Sequence, residues 1–182
     1  MTDQALLERV ERMESLYAID KLADRYAIAA DSRDLEGILD MFIPDVDCGR
    51  FGKGRDALRD SYNIIHRGFY RTIHQVVGHT VDLIDADHAT GKTVMRAEHE
   101  MGDRWVVVCM VLFDTYERRD GTWYYVRRKP ERWYSADILE RPSGPDWGET
   151  GDRKVRLPHL FPTWEKFWDG DDENVARLTS NP

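Results

Sequence analysis

The feature that most constrains the fold is the order of the sequence patterns, because helical spacing comes first and strand-like runs follow. After residue 70, four runs alternate apolar with polar residues or are apolar throughout, at about residues 71–85, 91–101, 104–118 and 122–136. Strands joined by short turns pair antiparallel, and Arg118-Arg119-Asp120-Gly121 is a strong hairpin signal. We therefore predict four consecutive antiparallel strands.

Three helices are predicted before the sheet. Apolar residues recur at steps of three to five from residue 4 to 30, which predicts one long helix with a buried stripe of Leu6, Val10, Met13, Tyr17, Leu22 and Tyr26. A polar turn from Asp31 to Asp34 precedes helical spacing at residues 35–42 and 55–67, with a short strand expected at 46–51. Helices followed by an antiparallel sheet define an α+β domain in which the helices pack on one face and close a pocket.

In the third run the residues that point to either face of the strand are apolar, so we expect both faces to be covered. Helices cover one face, and a second copy of the chain is expected on the other. The sequence therefore predicts a homodimer or homotrimer.

The composition changes after the last predicted strand. Residues 1–137 form the predicted domain, and residues 138–182 form a C-terminal extension of a polar linker, a short aromatic helix near Trp164 and a tail. We expect the aromatic segment to lie across the contact between copies or to cap the pocket.

Several classes of protein do not fit this composition. The net charge is −8, with 26 basic residues scattered among 34 acidic ones, which disfavours binding to nucleic acid. The longest apolar run, Trp105 to Phe113, is too short to cross a membrane of about 30 Å, and the start lacks the pattern of a signal peptide, which predicts a cytoplasmic protein. Cys48 and Cys109 have neither disulfide-framework nor zinc-site spacing.

Three residues are candidates for acid–base chemistry. Asp31 follows an apolar helical run, while His74 and His99 lie within neighbouring predicted strands. Each has an ordinary structural explanation, since Asp is common at helix ends and a strand histidine is usually a core residue. If they converge on one cavity, the carboxylate would fix the tautomer of an imidazole and make it a general base.

The order helix, Asp, strand, His and paired strands resembles the SnoaL-like branch of the nuclear transport factor 2-like superfamily, over about residues 5–137. The segments Asp31-Ser32-Arg33-Asp34, Arg71-Thr72-Ile73-His74 and Ala97-Glu98-His99 resemble the catalytic segments of scytalone dehydratase. This resemblance implies a cone-shaped roll that works without a cofactor or a metal.

Two further residues are implied by resemblance to other members of that branch. Tyr26 stands five residues before Asp31, as a tyrosine does in bile acid 7-alpha-dehydratase, and Arg128 falls where hexachlorocyclohexane dehydrochlorinase has a pocket arginine. Ala30 and Cys48 stand where scytalone dehydratase has its two tyrosines, so scytalone itself is not the expected substrate. Five residues rotate an ideal helix by about 140°, which leaves open whether Tyr26 reaches the site.

The reaction implied by the resemblance is a β-elimination. His74 would be the general base, Asp31 its orienting group, His99 and Tyr26 candidate acids, and Arg128 a cation for the leaving group. Alternatives on this scaffold are release of formaldehyde from a lignin-derived diaryl compound, isomerisation or cyclisation, non-catalytic ligand binding, and a role as a dioxygenase small subunit. A facial triad that binds iron is a further alternative.

Large apolar and aromatic residues on the predicted elements favour a small hydrophobic substrate that contains a ring. The residues predicted to line the pocket are Phe42, Cys48, Phe51, Tyr62, Phe69, Met95, Met110, Leu112, Tyr125 and Trp133.

Overall fold

The computed structural model describes residues 2–139, 157 and 159–164. Its described elements, in chain order, are α1 (Asp3–Ser32), α2 (Leu35–Leu39), a 3-10 helix (Gly49–Phe51), α3 (Gly54–Arg67), β1 (Thr72–Leu83), β2 (His88–Met101), β3 (Arg104–Arg119) and β4 (Thr122–Asp137). The predicted α+β class, three helices and four strands are confirmed.

Helix α1 has a defined start and end. The Thr2 side chain accepts a hydrogen bond from the Ala5 N–H, and at the other end Arg33 adopts a left-handed conformation with φ 63°. The Arg33 N–H then bonds to the carbonyls of Ala29 and Ala30, which closes the last turn. The helix therefore continues through Asp31 and Ser32, two residues that the sequence had suggested lie in a turn.

The predicted stripe is buried only in the second half of α1. Leu22 is buried and Tyr26 is half-buried, whereas Met13 and Tyr17 are 68% and 66% exposed. In the first half the opposite side of the helix, which carries Glu8, Glu11, Arg12 and Ser15, lines a groove with the β1–β2 turn. The apolar stripe of Leu6, Val10, Met13 and Tyr17 consequently points outward.

The four strands form one antiparallel meander in the order β1-β2-β3-β4. The register shifts at one extra residue in β1, Val77, and at two extra residues in β4, Val126 and Trp133. Such bulges bend and twist a sheet, so they help β1–β4 curve around the helices. In the β3–β4 hairpin, Asp120 and Gly121 both have positive φ, as expected for the predicted tight turn.

The short strand predicted at residues 46–51 is wrong. A single bridge joins Asp47 to Lys53, and Gly49–Phe51 form a 3-10 turn. Gly49 and Gly52 have φ of 60° and 98°, so the chain reverses here and cannot continue as an extended strand.

The segment after α2 is attached to the sheet by backbone hydrogen bonds to β4. The Ile43 N–H donates to the Tyr125 carbonyl at 3.0 Å, and the Tyr125 N–H donates to the Met41 carbonyl at 2.8 Å. These bonds hold Phe42 over Tyr125 and place the Phe42 ring at the floor of the interior.

The outer face of the sheet is partly covered by the C-terminal extension. Residues 162–164 form a helical turn, and the Phe161 ring lies 6.5 Å from Phe113 and 5.7 Å from Trp133, measured between ring centroids. The aromatic segment thus packs on the convex side of β3 and β4. The predicted linker and tail, apart from residues 138–139, 157 and 159–164, lie outside the described residues. None of the described helices is long and apolar enough to span a membrane.

Candidate active site

One cavity of about 690 Å³ lies between the helices and the concave face of the sheet. Its volume falls within the range of about 300–1,000 Å³ that is typical of small-molecule sites. Apolar and aromatic side chains supply most of the wall, and polar groups converge at two places. The polar and titratable side chains on its wall include Tyr26, Tyr62, His66, Thr72, His74, His99, Arg128 and Arg132.

The Asp31 carboxylate binds His74 at one side of this cavity. Asp31 Oδ1 lies 2.6 Å from His74 Nδ1, and Asp31 Oδ2 accepts the His74 backbone N–H at 2.7 Å. Because an ionised carboxylate can only accept, the Nδ1 N–H donates to Asp31, which leaves Nε2 as the basic nitrogen. The His74 side chain is 10% exposed, and that of Asp31 is 27% exposed.

Arg33 fixes the junction that brings Asp31 to His74. From its left-handed position after α1, Arg33 Nη1 donates to Thr72 Oγ1 at 2.8 Å and Nη2 donates to the Phe69 carbonyl at 3.1 Å. Thr72 Oγ1 in turn donates to Asp31 Oδ1 at 2.8 Å. The end of α1 is therefore bonded to the start of β1, and the carboxylate has little freedom to leave His74.

His99 lies beside His74 on the neighbouring strand. Thr72 is paired with His99 in the β1–β2 ladder, and the two imidazole centroids are 5.7 Å apart. The His99 ring stacks on Phe69 at 4.4 Å. Burial, together with the nearby His74 and Arg132, lowers the pKa of His99 to about 4, so this imidazole is neutral at pH 7.

Tyr26 reaches the cavity in spite of its angular separation from Asp31. Its ring lies 6.4 Å from the His74 ring, and its hydroxyl accepts a hydrogen bond from the Tyr62 hydroxyl at 3.2 Å. Burial raises the pKa of Tyr62 well above its usual range. Two phenol groups therefore face the cavity near His74, with the hydroxyl proton of Tyr26 available to a ligand.

The Arg128 guanidinium lies against the rings of Tyr26 and Tyr125. Its guanidinium carbon is 4.2 Å from the Tyr26 ring centroid and 4.6 Å from that of Tyr125. Such distances give a cation–π attraction, which strengthens when the cation is buried. The cation is thus held at the floor of the cavity and is not a solvated surface group.

A buried carboxylate balances Arg128. Asp114 Oδ1 and Arg128 Nε are 3.2 Å apart but poorly aligned for a hydrogen bond, whereas Arg128 Nη2 donates to Asp114 Oδ2 at 3.3 Å. Thr93 and Tyr116 also donate to Oδ2, at 2.9 and 3.2 Å. Burial raises the pKa of Asp114, an effect that the Arg128 charge opposes.

Most of the predicted site residues line the cavity, and a few lie outside its wall. His74, His99, Tyr26 and Arg128 line the cavity, as do seven of the ten residues predicted for its wall: Phe42, Cys48, Tyr62, Phe69, Met95, Met110 and Leu112. Asp31 stands behind His74.

Three predicted wall residues lie elsewhere. Phe51 belongs to the 3-10 turn and contacts the Arg50 guanidinium. Tyr125 is fully buried among Phe42 and Tyr116 beneath the cavity. Trp133 occupies the bulge of β4 opposite Cys109 and Met110, where its ring turns to the outer face against Phe161.

Some functional candidates carried no recognisable sequence signal. His66 lies on α3 and lines the cavity, and Asp114 lies within an apolar strand. Asp114 and Arg128 are directly opposite in the β3–β4 ladder, so the exact strand register was the signal needed to pair them. Among the described residues no group of three or more His, Cys, Asp or Glu side chains is arranged to hold a metal ion.

Comparison with known proteins agrees with this architecture. Residues 11–129, more than half of the chain, match the SnoaL-like domain model. A gamma-hexachlorocyclohexane dehydrochlorinase of Sphingobium indicum is 25% identical over 126 residues, which cover 65% of this chain and 81% of the relative.

Solved structures show the same fold. The crystal structure of LinA has a TM-score of 0.66 and 24% identity, covering 75% of this chain and 98% of that one. A second crystal structure is of a Novosphingobium aromaticivorans protein provisionally named scytalone dehydratase. It has a TM-score of 0.62 and 23% identity, and the match covers 73% of this chain and 93% of that one.

The helices and the curved antiparallel sheet define an α+β protein of the nuclear transport factor 2-like fold with an internal histidine–carboxylate pair. Within that class, the chain belongs to the SnoaL-like domain family. The family predicted from the three sequence motifs is confirmed.

Proposed function

We propose that the protein is a cofactor-independent lyase that removes a proton from a small hydrophobic, ring-containing substrate and expels a leaving group from the adjacent carbon. The observation that carries this proposal is the 2.6 Å contact between Asp31 Oδ1 and His74 Nδ1, with His74 on the cavity wall. A relative that is named as a dehydrochlorinase performs an elimination, which supports the same reaction class here.

In the proposed step, His74 Nε2 accepts a proton from a substrate carbon. The electron pair of the broken C–H bond forms the new double bond while the bond from the adjacent carbon to the leaving group breaks. Asp31 stabilises the imidazolium that forms, through the proton on Nδ1. General acid–base catalysis of this kind contributes about 10² to 10⁴ in rate.

The other polar groups assist departure of the leaving group. A hydroxide leaves as water after taking a proton, and the Tyr26 hydroxyl is the proposed donor, since Tyr62 donates to its oxygen and leaves its proton free. His99 is neutral at pH 7, so we assign it a hydrogen-bonding role and not that of an imidazolium acid. Arg128 supplies positive charge beneath Tyr26 as negative charge develops.

Within the lyases, a dehydratase is our preferred assignment, with loss of formaldehyde as the alternative. The test is a panel of benzylic β-hydroxy ketones, aryl 1,3-propanediols and gamma-hexachlorocyclohexane, analysed for water loss, formaldehyde and chloride. The wild-type protein should convert at least one class, whereas His74→Ala should not and His88→Ala, changed at an exposed histidine, should.

Other outcomes would replace this proposal. Tight binding of panel compounds without turnover would indicate a ligand-binding protein, and purification with a large iron–sulfur subunit would indicate a dioxygenase small subunit. Activity that depends on added metal and survives in His74→Ala would contradict proton abstraction by His74.

We also propose that the protein acts in the cytoplasm as a homodimer or homotrimer through the part of the outer sheet face that the described residues leave exposed. Ile73, Val77 and Val94 are exposed apolar side chains on β1 and β2, away from the C-terminal segment on β3 and β4. Light scattering should give twice or three times the chain mass, and Val77→Glu should shift it toward the monomer.

A further inference from the structure

His66 is a polar side chain that the proposed elimination does not use. It lies in the last turn of α3, is 8% exposed and lines the cavity. Its ring packs edge-on against Tyr62 with 5.6 Å between centroids. Its Nδ1 is buried and has no hydrogen-bond partner in the part of the chain that the structure describes.

The protonation state of His66 determines what it can bind. Burial, with smaller contributions from Arg33 and His74, lowers its pKa to about 4, so the imidazole is neutral at pH 7. A neutral imidazole offers one N–H donor and one acceptor nitrogen. It suits a hydroxyl or carbonyl better than a carboxylate, because it has no charge to offset the desolvation of an anion.

An unsatisfied buried nitrogen destabilises the folded state, whereas an apolar side chain at the same helical position would not. The neighbouring Tyr62 does not require an imidazole at this position, because its hydroxyl already forms a hydrogen bond with Tyr26. Because the His66 ring forms part of the cavity wall, a turn of the ring would present Nδ1 to a ligand oxygen, which would supply the missing hydrogen bond.

We infer that His66 is the recognition group for an oxygen on an uncharged aromatic substrate, on the α3 wall of the cavity and apart from the His74 base on β1. The inference rests on the proposed function for the identity of the reacting site. It narrows the substrate to an oxygenated aromatic compound whose recognised oxygen is distinct from the departing group.

Matched probes test this inference without requiring turnover. In the His74→Ala background, the affinities of 1-naphthol, 2-naphthol and naphthalene are measured by calorimetry. At least one naphthol should bind about five- to tenfold more tightly than naphthalene, the gain expected of one buried hydrogen bond. Adding His66→Leu should remove most of that preference while leaving the affinity for naphthalene within about twofold.

Two further variants serve as controls. His66→Asn places an amide near the position of Nδ1 and should restore part of the preference, and His88→Leu, at an exposed histidine, should leave it unchanged. A preference that is equal with and without His66→Leu, or no preference for either naphthol, would overturn the inference. Because no turnover is needed, hydroxyl recognition by a protein that converts no panel compound would overturn only the lyase proposal.

Discussion

Asp31 holds His74 through two hydrogen bonds, one to the imidazole Nδ1 at 2.6 Å and one to the backbone N–H at 2.7 Å. The first bond sets the tautomer, and the second ties the carboxylate to the strand itself. Because both carboxylate oxygens are engaged, the orientation of the imidazole depends on the end of α1 as well as on β1. Disturbing either should affect the proposed base.

Asp31→Asn should lower the lyase rate by about 10²- to 10⁴-fold, because an amide cannot stabilise the imidazolium and permits the wrong tautomer. The measurement is kcat/KM on the best substrate of the panel. Asp34→Asn is the matched control, since Asp34 caps α2 by accepting the Gly37 N–H and asparagine caps equally well. Equal activities of the two variants would contradict the assignment of Asp31.

The buried Asp114–Arg128 pair should matter more for stability than any exposed ion pair. Asp114→Asn leaves the Arg128 charge uncompensated and should reduce the free energy of unfolding by about 3–5 kcal/mol, measured in urea. Asp40→Asn, which breaks the surface contact with Arg55, should reduce it by about 1 kcal/mol or less. Similar losses in both variants would show that the Asp114 site is hydrated.

The depressed pKa of His99 should make stability depend on pH. Below about pH 6.5 the unfolded chain binds a proton at His99, whereas the folded protein does so only near pH 4, so stability is lost as pH falls through this window. The unfolding free energy of wild type minus that of His99→Phe should therefore rise with pH across it, by at most about 1.4 kcal/mol per unit. A difference that is flat with pH would mean that His99 is solvated in the folded state.

Gly91 provides space for a packed contact between three strands. A Cβ there would lie 2.8 Å from the Thr80 carbonyl oxygen and 3.0 Å from the Tyr116 ring. Gly91→Ala should therefore destabilise the protein by about 1–3 kcal/mol, seen as a lower urea midpoint. Gly78→Ala on β1, where nothing lies within 4 Å, should not lower it, and equal effects would contradict the packing argument.

The elements of the fold could be predicted because their signals are local. The strand runs, the Asp120-Gly121 turn and the helical spacing each depend on neighbouring residues. The failure at residues 46–51 has the same origin, since an apolar run resembles a strand until the positive φ of Gly49 and Gly52 is known. The outward stripe of α1 could not be predicted because the sheet, and not the periodicity, determines which side is buried.

The site was predictable only in part. Asp31, His74 and His99 carried motifs, and their convergence followed from the resemblance. The Asp114–Arg128 pair depends on a β3–β4 register that is shifted by one residue at Val126, between the pair and the hairpin turn, which no local pattern reveals. His66 resembles any helical histidine until its burial is known, and the contact of Phe161 with Trp133 joins segments distant in sequence.

The most direct test of the account is the single-turnover rate of His74→Ala, measured with and without free imidazole on the best substrate. The account predicts a loss of at least about 10²-fold, partly restored by imidazole that enters the cavity and accepts the proton. A rate within a few-fold of wild type, unaffected by imidazole, would show that His74 is not the base.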